Sequence, residues 1–312
     1  LLGRDLRPSS PRIAAACGTA IRAAGATAVD CGVLPTPALA LEAGARGVPA
    51  IMVTGSHIPF DRNGLKFYRA DGEITKADEA GILAAMEPAT DHASPAADQG
   101  TIDDAAQRRY LGRAAAFPAD GLTGLRIGVY QHSAAGRDLL GEALSQLGAD
   151  VVPLGRSDDF VPIDTEAVRA EDRALAQGWV KEHRLDALVA TDGDGDRPLV
   201  ADETGHFLRG DILGILTARF LGADAVATPV SSNTALERSG WFPVTRRTRI
   251  GSPHVIEAMT ALAAGGTAVP VGFEANGGFL LGADATVPGG GTLVALPTRD
   301  ALVPILSVLC MA

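Results

Sequence analysis

Short apolar runs recur along the chain and alternate with stretches whose apolar residues fall three and four apart, a pattern that predicts βα units from end to end. The spacing over Pro11–Ala24 predicts a helix with Ser10 as N-cap and Pro11 in its first turn. A strand over Ala26–Cys31, a helix over Ala38–Arg46 and the apolar strand Ala50–Val53 follow. A second unit is predicted from Gly121, with strand Leu125–Tyr130, helix Arg137–Leu147, strand Asp150–Leu154, helix Glu166–His183 and strand Leu185–Ala190. A third begins near Gly222 with strand Ala225–Val230, helices Thr234–Ser239 and Pro253–Ala264, a glycine-rich segment Gly265–Gly291 and a closing helix Asp300–Met311. Apolar strands set between helices imply a parallel or mixed sheet covered on both faces.

A length of 312 residues exceeds one ordinary core, and the pattern divides into an α/β chain of three βα-rich, mixed-sheet domains, at 1–120, 121–221 and 222–312. Glu87–Gly100, rich in Pro, Ala and Asp, is expected to be a surface connection. The units repeat in element order without repeating in residue identity. A net charge of −10 argues against a nucleic-acid partner, whose phosphates need a basic surface. Only 4% of residues are aromatic, so a polar ligand would be held by hydrogen bonds more than by stacked rings. Cys17, Cys31 and Cys310 have no metal or redox spacing and are expected to be reduced, in a cytoplasmic protein. No apolar run approaches the roughly 18 residues of a membrane span, and no signal peptide opens the chain. The chain begins at Leu1, as though a strand were entered midway, and a preceding segment is expected.

Three segments carry candidate chemistry. In Val53–Lys66, a buried strand leads into Thr54, Gly55, Ser56 and His57; Gly55 permits a sharp turn that exposes Ser56, and Asn63-Gly64 turns Lys66 back toward it. A polar loop capped by Ser and Asn has the same composition. Only three of the 27 Lys and Arg residues are lysine, however, and an amine can lose its proton near neutrality where a guanidinium cannot, so Lys66 is a candidate general acid or base. In Thr191–Arg197, Asp192, Asp194 and Asp196 alternate with glycines directly after a strand. Adjacent carboxylates repel, and hard oxygen ligands favour Mg²⁺ or Ca²⁺. An EF-hand fails, because Arg197 stands where its glycine is required and the flanks read as strands. The third segment, Val271–Gly278, sets Glu274 and Asn276 in a glycine-rich turn, suited to vicinal sugar hydroxyls or simply to a hairpin.

Together and in this order the segments resemble the α-D-phosphohexomutase family. Thr54–Pro59 is similar to its phosphoserine loop T-A-S-H-N-P, Asp192–Arg197 matches its metal loop D-G-D-G-D-R at every position, and Glu274–Gly278 resembles its sugar loop G-E-x-S-G-H. Thr248–Gly251 resembles T-K-V-G, and Gly3–Arg7 and Asn63–Lys66 also fit. The resemblance implies a hexose 1-phosphate/6-phosphate mutase acting on glucose or mannose. In it Ser56 carries the phosphoryl group, Mg²⁺ is held by Asp192, Asp194, Asp196 and Ser56, and a hexose 1,6-bisphosphate turns over in the site. His57 and Lys66 would move protons, Arg197 would lie beside the phosphoserine, and Glu274, Asn276 and Arg249 would bind substrate.

The departures are specific. Gly55 and Ile58 replace the usual Ala and Asn, Gly278 the usual His, and Arg249 a common lysine; the F-E-A-N-G core is nearer to N-acetylglucosamine-phosphate mutases. The family's fourth domain, with its R-x-S-G-T-E-P-like loop, and its opening G-T-S-G-x-R-G segment do not occur in this sequence. The alternatives are a phosphoglucosamine mutase or a non-catalytic phosphosugar-binding paralogue. A serine hydrolase is not supported: there is no G-x-S-x-G elbow, and His92, His132, His183, His206 and His254 are expected at the surface or in caps. Ser252 and His254 are expected to cap the helix that follows them.

Overall fold

The computed structural model describes residues 1–56, 58–86 and 101–312. The connection expected at Glu87–Gly100 lies outside them. Three sheets follow one another along the chain. The first comprises β1 (Leu2–Arg4), β2 (Asp30–Val33), β3 (Ala50–Val53), β4 (Leu65–Arg69) and β5 (Gly72–Glu73) in the order β2-β1-β3-β4-β5. The second comprises β6 (Arg126–Tyr130), β7 (Asp150–Leu154), β8 (Ala187–Thr191) and β9 (Pro198–Ala201) in the order β7-β6-β8-β9. The third has β10 (Ala225–Pro229), β11 (Val244–Thr248), β12 (Pro270–Phe273) and β13 (Phe279–Leu281) in the order β11-β10-β12-β13. A hairpin of β14 (Ala285–Thr286) and β15 (Thr292–Leu293) leads to β16 (Leu296–Asp300), which closes the third sheet beside β13.

One topology is therefore used three times. In each unit the first three strands are parallel, the first lies between the second and third, and the fourth turns back antiparallel to the third. All three candidate loops occupy the same place, the reversal between third and fourth strands: 54–64 after β3, 192–197 after β8 and 274–278 after β12. The carboxyl edge of the parallel strands is where open α/β sheets bind ligands, so a threefold repeat of the topology brings three loops to comparable positions.

The two-residue strand period divides the core. Ile127 and Val129, Ala187 and Val189, Val271 and Phe273, and Phe279 and Leu281 point into one apolar cluster shared by all three units. Their neighbours Leu188 and Ala190 join a second cluster with Val180 from the helix Ala170–His183. Ala225, Ala227 and Leu280 likewise join a third with Val255 and Met259 from the helix Ser252–Ala264. Glu73 ties the first unit to the third by accepting hydrogen bonds from Ser252 Oγ (3.0 Å) and Thr298 Oγ1 (2.5 Å).

Several local expectations need correction. The helix Ser10–Ala23 begins one residue early, and Ser10 donates its hydroxyl to Asp5 (2.5 Å) instead of capping. Ser252 similarly gives its hydroxyl to Glu73, and neither Ser252 nor His254 caps, because Gly251 is the N-cap. His132 is no surface residue: it is buried, with Nε2 at 2.9 Å from the Thr191 carbonyl. The helix Gly210–Phe220 and strand β11 are elements that the apolar pattern did not predict.

Candidate active site

The serine loop is built around Arg7. Its side chain has no exposure and donates to the carbonyls of Ser56 (2.7 Å), Ile58 (2.7 Å), Pro59 (2.6 Å) and Arg62 (2.9 Å), while Nε pairs with Asp5 (3.2 Å). Asp5 also accepts from Thr54 Oγ1 (2.7 Å), which in turn accepts from the Ser56 amide (2.8 Å). Phe160 of the second unit covers the Arg7 guanidinium at 4.2 Å. A Cβ on Gly55 would stand 2.8 Å from Arg7 Cζ, so glycine is required for this close approach. Ser56 is held at φ +50°, a left-handed conformation uncommon for a residue with a side chain and a mark of functional loops. His57 lies outside the described residues.

The acidic loop faces Ser56. Ser56 Oγ donates to Asp192 Oδ2 at 2.8 Å. A Cβ at Gly193 would come within 3.2 Å of the Ser56 carbonyl, and Gly195 adopts φ +73°, so both glycines are used as the sequence expects. Asp192, Asp194 and Asp196 are buried and bring one carboxylate oxygen each within 4.8 Å of one another. Asp192 Oδ1 accepts from the amides of Asp196 (3.2 Å) and Arg197 (3.3 Å), and Thr36 donates to Asp194 (2.5 Å).

The protonation preferences of Asp192 and Asp196 are pushed apart. Burial, then repulsion from Asp194 and Asp196, raises the Asp192 carboxyl well above the usual carboxylate range. Burial acts on Asp196 in the same sense but is outweighed by Arg299 and Lys66, so its carboxyl is lowered. The Oδ1 atoms of Asp194 and Asp196 are buried without a hydrogen-bond partner among the described residues. Three buried carboxylates brought together, with two carboxylate oxygens left without a hydrogen bond, fit a divalent cation, which would relieve the repulsion.

Lys66 leaves β4 toward this loop and pairs with Asp194 (2.6 Å) and Asp196 (2.8 Å). The rarity of lysine in the sequence implied an amine with a lowered pKa. Burial does oppose its charge, but the two carboxylates prevail and the ammonium is held above its ordinary value. Arg197 lies 3.6 Å from Asp196 and 4.0 Å from Asp192.

Glu274 and Asn276 are buried in the third loop. The Asn276 Oδ1 accepts from the Gly278 amide (2.9 Å), and its carbonyl accepts from Thr165 (2.9 Å), so part of its polarity holds its own turn. Both residues line a cavity of about 290 Å³ with Arg197, Arg299, Asp164, Glu166, Ile250 and Gly251, close to the lower size of small-molecule sites. Arg249 does not reach it: the residue is exposed and lines a separate cavity with Arg246, Arg247 and His254. A larger cavity, about 670 Å³, borders Ala40, Arg113 and the segment 291–298 and contains none of these loops.

Two residues escaped the sequence reading. Arg7 belongs to a segment whose motif was seen but whose role was not. Arg299 in β16 pairs with Asp196 (2.9 Å) and Glu274 (3.0 Å), joining the second loop to the third. Their common signal is long range: each arginine lies close to an aspartate in sequence and meets its loop only through tertiary structure.

Comparison with known proteins fits this geometry. Models of the phosphoglucomutase/phosphomannomutase alpha/beta/alpha domains I, II and III match residues 1–92, 108–205 and 209–312 in order. A phosphomannomutase of Salmonella muenchen is 53% identical over 99% of this chain, and one of Sinorhizobium fredii is 49% identical over 100% of it. The chain spans 64% and 66% of the length of these two relatives. The solved structure of a putative phosphomannomutase from Thermus thermophilus shares the fold, with TM-score 0.77 at 21% identity over 99% of this chain and 70% of that one. Three consecutive domain models, and whole-chain identity with these two relatives, show that the chain belongs to the phosphoglucomutase/phosphomannomutase, or α-D-phosphohexomutase, family.

Proposed function

We propose that this chain carries the phosphoryl-transfer site of a phosphohexomutase that interconverts the 1- and 6-phosphates of mannose, with glucose phosphates as further substrates. The observation that carries the reading is the Ser56 hydroxyl 2.8 Å from Asp192, at the edge of a buried triad with two orphaned carboxylate oxygens. In the proposed cycle Ser56 is phosphorylated. Its Oγ–P bond breaks as a bond forms to the free hydroxyl of the hexose phosphate, giving a hexose 1,6-bisphosphate. That intermediate then binds reversed and returns its other phosphoryl group to Ser56.

Asp192, Asp194, Asp196 and Ser56 would hold Mg²⁺, which when bound supplies positive charge against the charge of the transferring group. Lys66 begins protonated beside two carboxylates, so it can give a proton to the oxygen released from phosphorus and recover one from the attacking hydroxyl. His57 is a second candidate for that traffic. Arg197, at the cavity wall, would stabilise the phosphoryl oxygens, and Glu274 and Asn276 would hold sugar hydroxyls in either orientation. Arg249 lines a separate cavity, so it is assigned no part in holding the sugar beside Glu274 and Asn276. The names of the relatives favour mannose. The free thiols of Cys17, Cys31 and Cys310 accord with a cytoplasmic setting, and among the described residues no helix is long and apolar enough to cross a membrane.

The test is phosphorus NMR of the full-length gene product with Mg²⁺, a trace of mannose 1,6-bisphosphate and mannose 1-phosphate. Appearance of mannose 6-phosphate, abolished in Ser56→Ala, is expected. Turnover of glucosamine phosphate alone would move the substrate assignment. No turnover of any hexose phosphate would overturn the reading.

A further inference from the structure

Arg299 occupies space that a side chain at position 278 would need. An ideal Cβ on Gly278 would lie 2.7 Å from Arg299 Cδ, 2.8 Å from Cγ and 3.1 Å from Cβ. The cause is strand pairing. β16 runs antiparallel to β13 with Asp300 opposite Phe279, so Gly278 and Arg299, each one residue before a paired position, lie on the same face of the sheet and meet on the diagonal. From there the Arg299 stem crosses Gly278, and its guanidinium forks between two loops. Nη2 and Nε meet Asp196 Oδ2 at 2.9 and 3.1 Å, and Nη1 meets Glu274 Oε2 at 3.0 Å. The side chain is only 16% exposed, and it lines the same 290 Å³ cavity as Glu274.

A guanidinium is suited to this task because its donors are fixed in one plane and can serve two carboxylates at once; an ammonium on a flexible stem cannot hold both orientations together. Glu274 is buried, and without Arg299 its carboxylate would lack its ion-pair partner and its fixed direction.

We propose that Arg299 is a positioning residue that couples the acidic loop to the sugar loop, and that Gly278 is glycine because Arg299 must pass over it. The two form one unit setting the orientation of Glu274 toward a hexose phosphate. The proposal deepens the functional reading above and rests on it for the substrate.

The experiment is a double-mutant cycle in the full-length gene product, with Gly278→Ala, Arg299→Ala, the double variant and Arg299→Lys. kcat and KM for mannose 1-phosphate are measured beside Tm. Gly278→Ala alone is expected to lower Tm and to reduce kcat/KM about tenfold, through displacement of Arg299. Arg299→Ala should raise KM about tenfold with a smaller change in kcat, because Glu274 binds sugar before and during transfer. The double variant should be no worse than Arg299→Ala in either measure, since the obstructing stem is gone. Arg299→Lys keeps the stem and charge and guards against a simple folding failure: Tm should recover, while KM stays raised at least about fivefold because the fork is lost.

Additive losses in the double variant, or an unchanged Gly278→Ala, would overturn the pairing. Recovery of KM together with Tm in Arg299→Lys would overturn the positioning role. A non-additive Tm cycle in a protein without mutase turnover would remove the functional reading and the positioning role while leaving the packing of 278 against 299. Additive Tm losses in an active mutase would sink the coupling and leave the functional reading intact.

Discussion

Replacing Arg7 by methionine keeps most of the volume of the stem and deletes the cation around which the serine loop is wound. The consequences divide by burial. The carbonyls of Pro59 and Arg62 belong to exposed residues and can turn to water, at little cost. The Ser56 carbonyl belongs to a buried residue, and Asp5, also buried, would lose its only ion-pair partner among the described residues. Asp5 keeps the hydroxyls of Thr54 and Ser10, which compensate in part. Breaking one side of a buried pair typically costs about 3–5 kcal/mol, and the retained hydroxyls set the expectation at the lower end, about 3 kcal/mol. Urea unfolding followed by circular dichroism reads the loss. Asp5→Asn in the Arg7→Met background should recover about 1 kcal/mol or more, because a neutral amide needs no counter-charge. A loss below about 1 kcal/mol for Arg7→Met, or no recovery in the double variant, would refute the idea that Arg7 templates the loop.

Other expectations follow from the same geometry. Gly55→Ala would bring a methyl group to 2.8 Å from Arg7 Cζ, which is held by its bonds and cannot yield; an overpacking loss of about 1–3 kcal/mol should appear as a lower Tm, and an unchanged Tm contradicts the clamp. Burial pushes the His132 imidazole down from 6.5 to about 4. The unfolded chain therefore takes up the proton first, and stability held above pH 6.5 is lost as pH falls toward 4, at up to about 1.4 kcal/mol per pH unit. His132→Gln should flatten the urea midpoint across that interval, and an identical slope would show that His132 does not titrate this way. A hundredfold excess of Mg²⁺ over its dissociation constant should stabilise the protein by about 2.7 kcal/mol. Calorimetric binding and this shift should both vanish in Asp194→Asn, and their persistence would place the cation elsewhere.

The parts of this molecule that local sequence could disclose were those in which local and tertiary demands coincide. Strand β3 and the helix Arg137–Gln146 follow the apolar pattern nearly to the residue. The acidic loop was legible because glycines alternate with carboxylates inside six residues. What escaped notice was carried by contacts distant in sequence. Arg7 meets the Ser56 carbonyl across 49 residues, and Arg299 meets Asp196 across 103, with nothing nearby to announce either bond. His132 reads as a surface residue in the sequence because burial of a histidine depends on what packs over it, here an edge contact with Tyr130 at 5.1 Å between ring centroids. The rarity of lysine marked Lys66 as a candidate general acid or base, and its place beside the acidic loop comes from the fold. Its expected low pKa did not survive, because the sign of a shift depends on which charges the fold brings near. The repeated topology, with each candidate loop at the same strand reversal, could not be read from residue identities at all.

Intact mass spectrometry of the full-length gene product, before and after phosphatase and after incubation with mannose 1,6-bisphosphate, tests the central claim most directly. The account predicts a species heavier by about 80 Da, one phosphoryl group, removed by phosphatase, restored by the bisphosphate and absent in Ser56→Ala. An unphosphorylated protein under all three conditions, or a phosphoryl group that persists in Ser56→Ala, would contradict it.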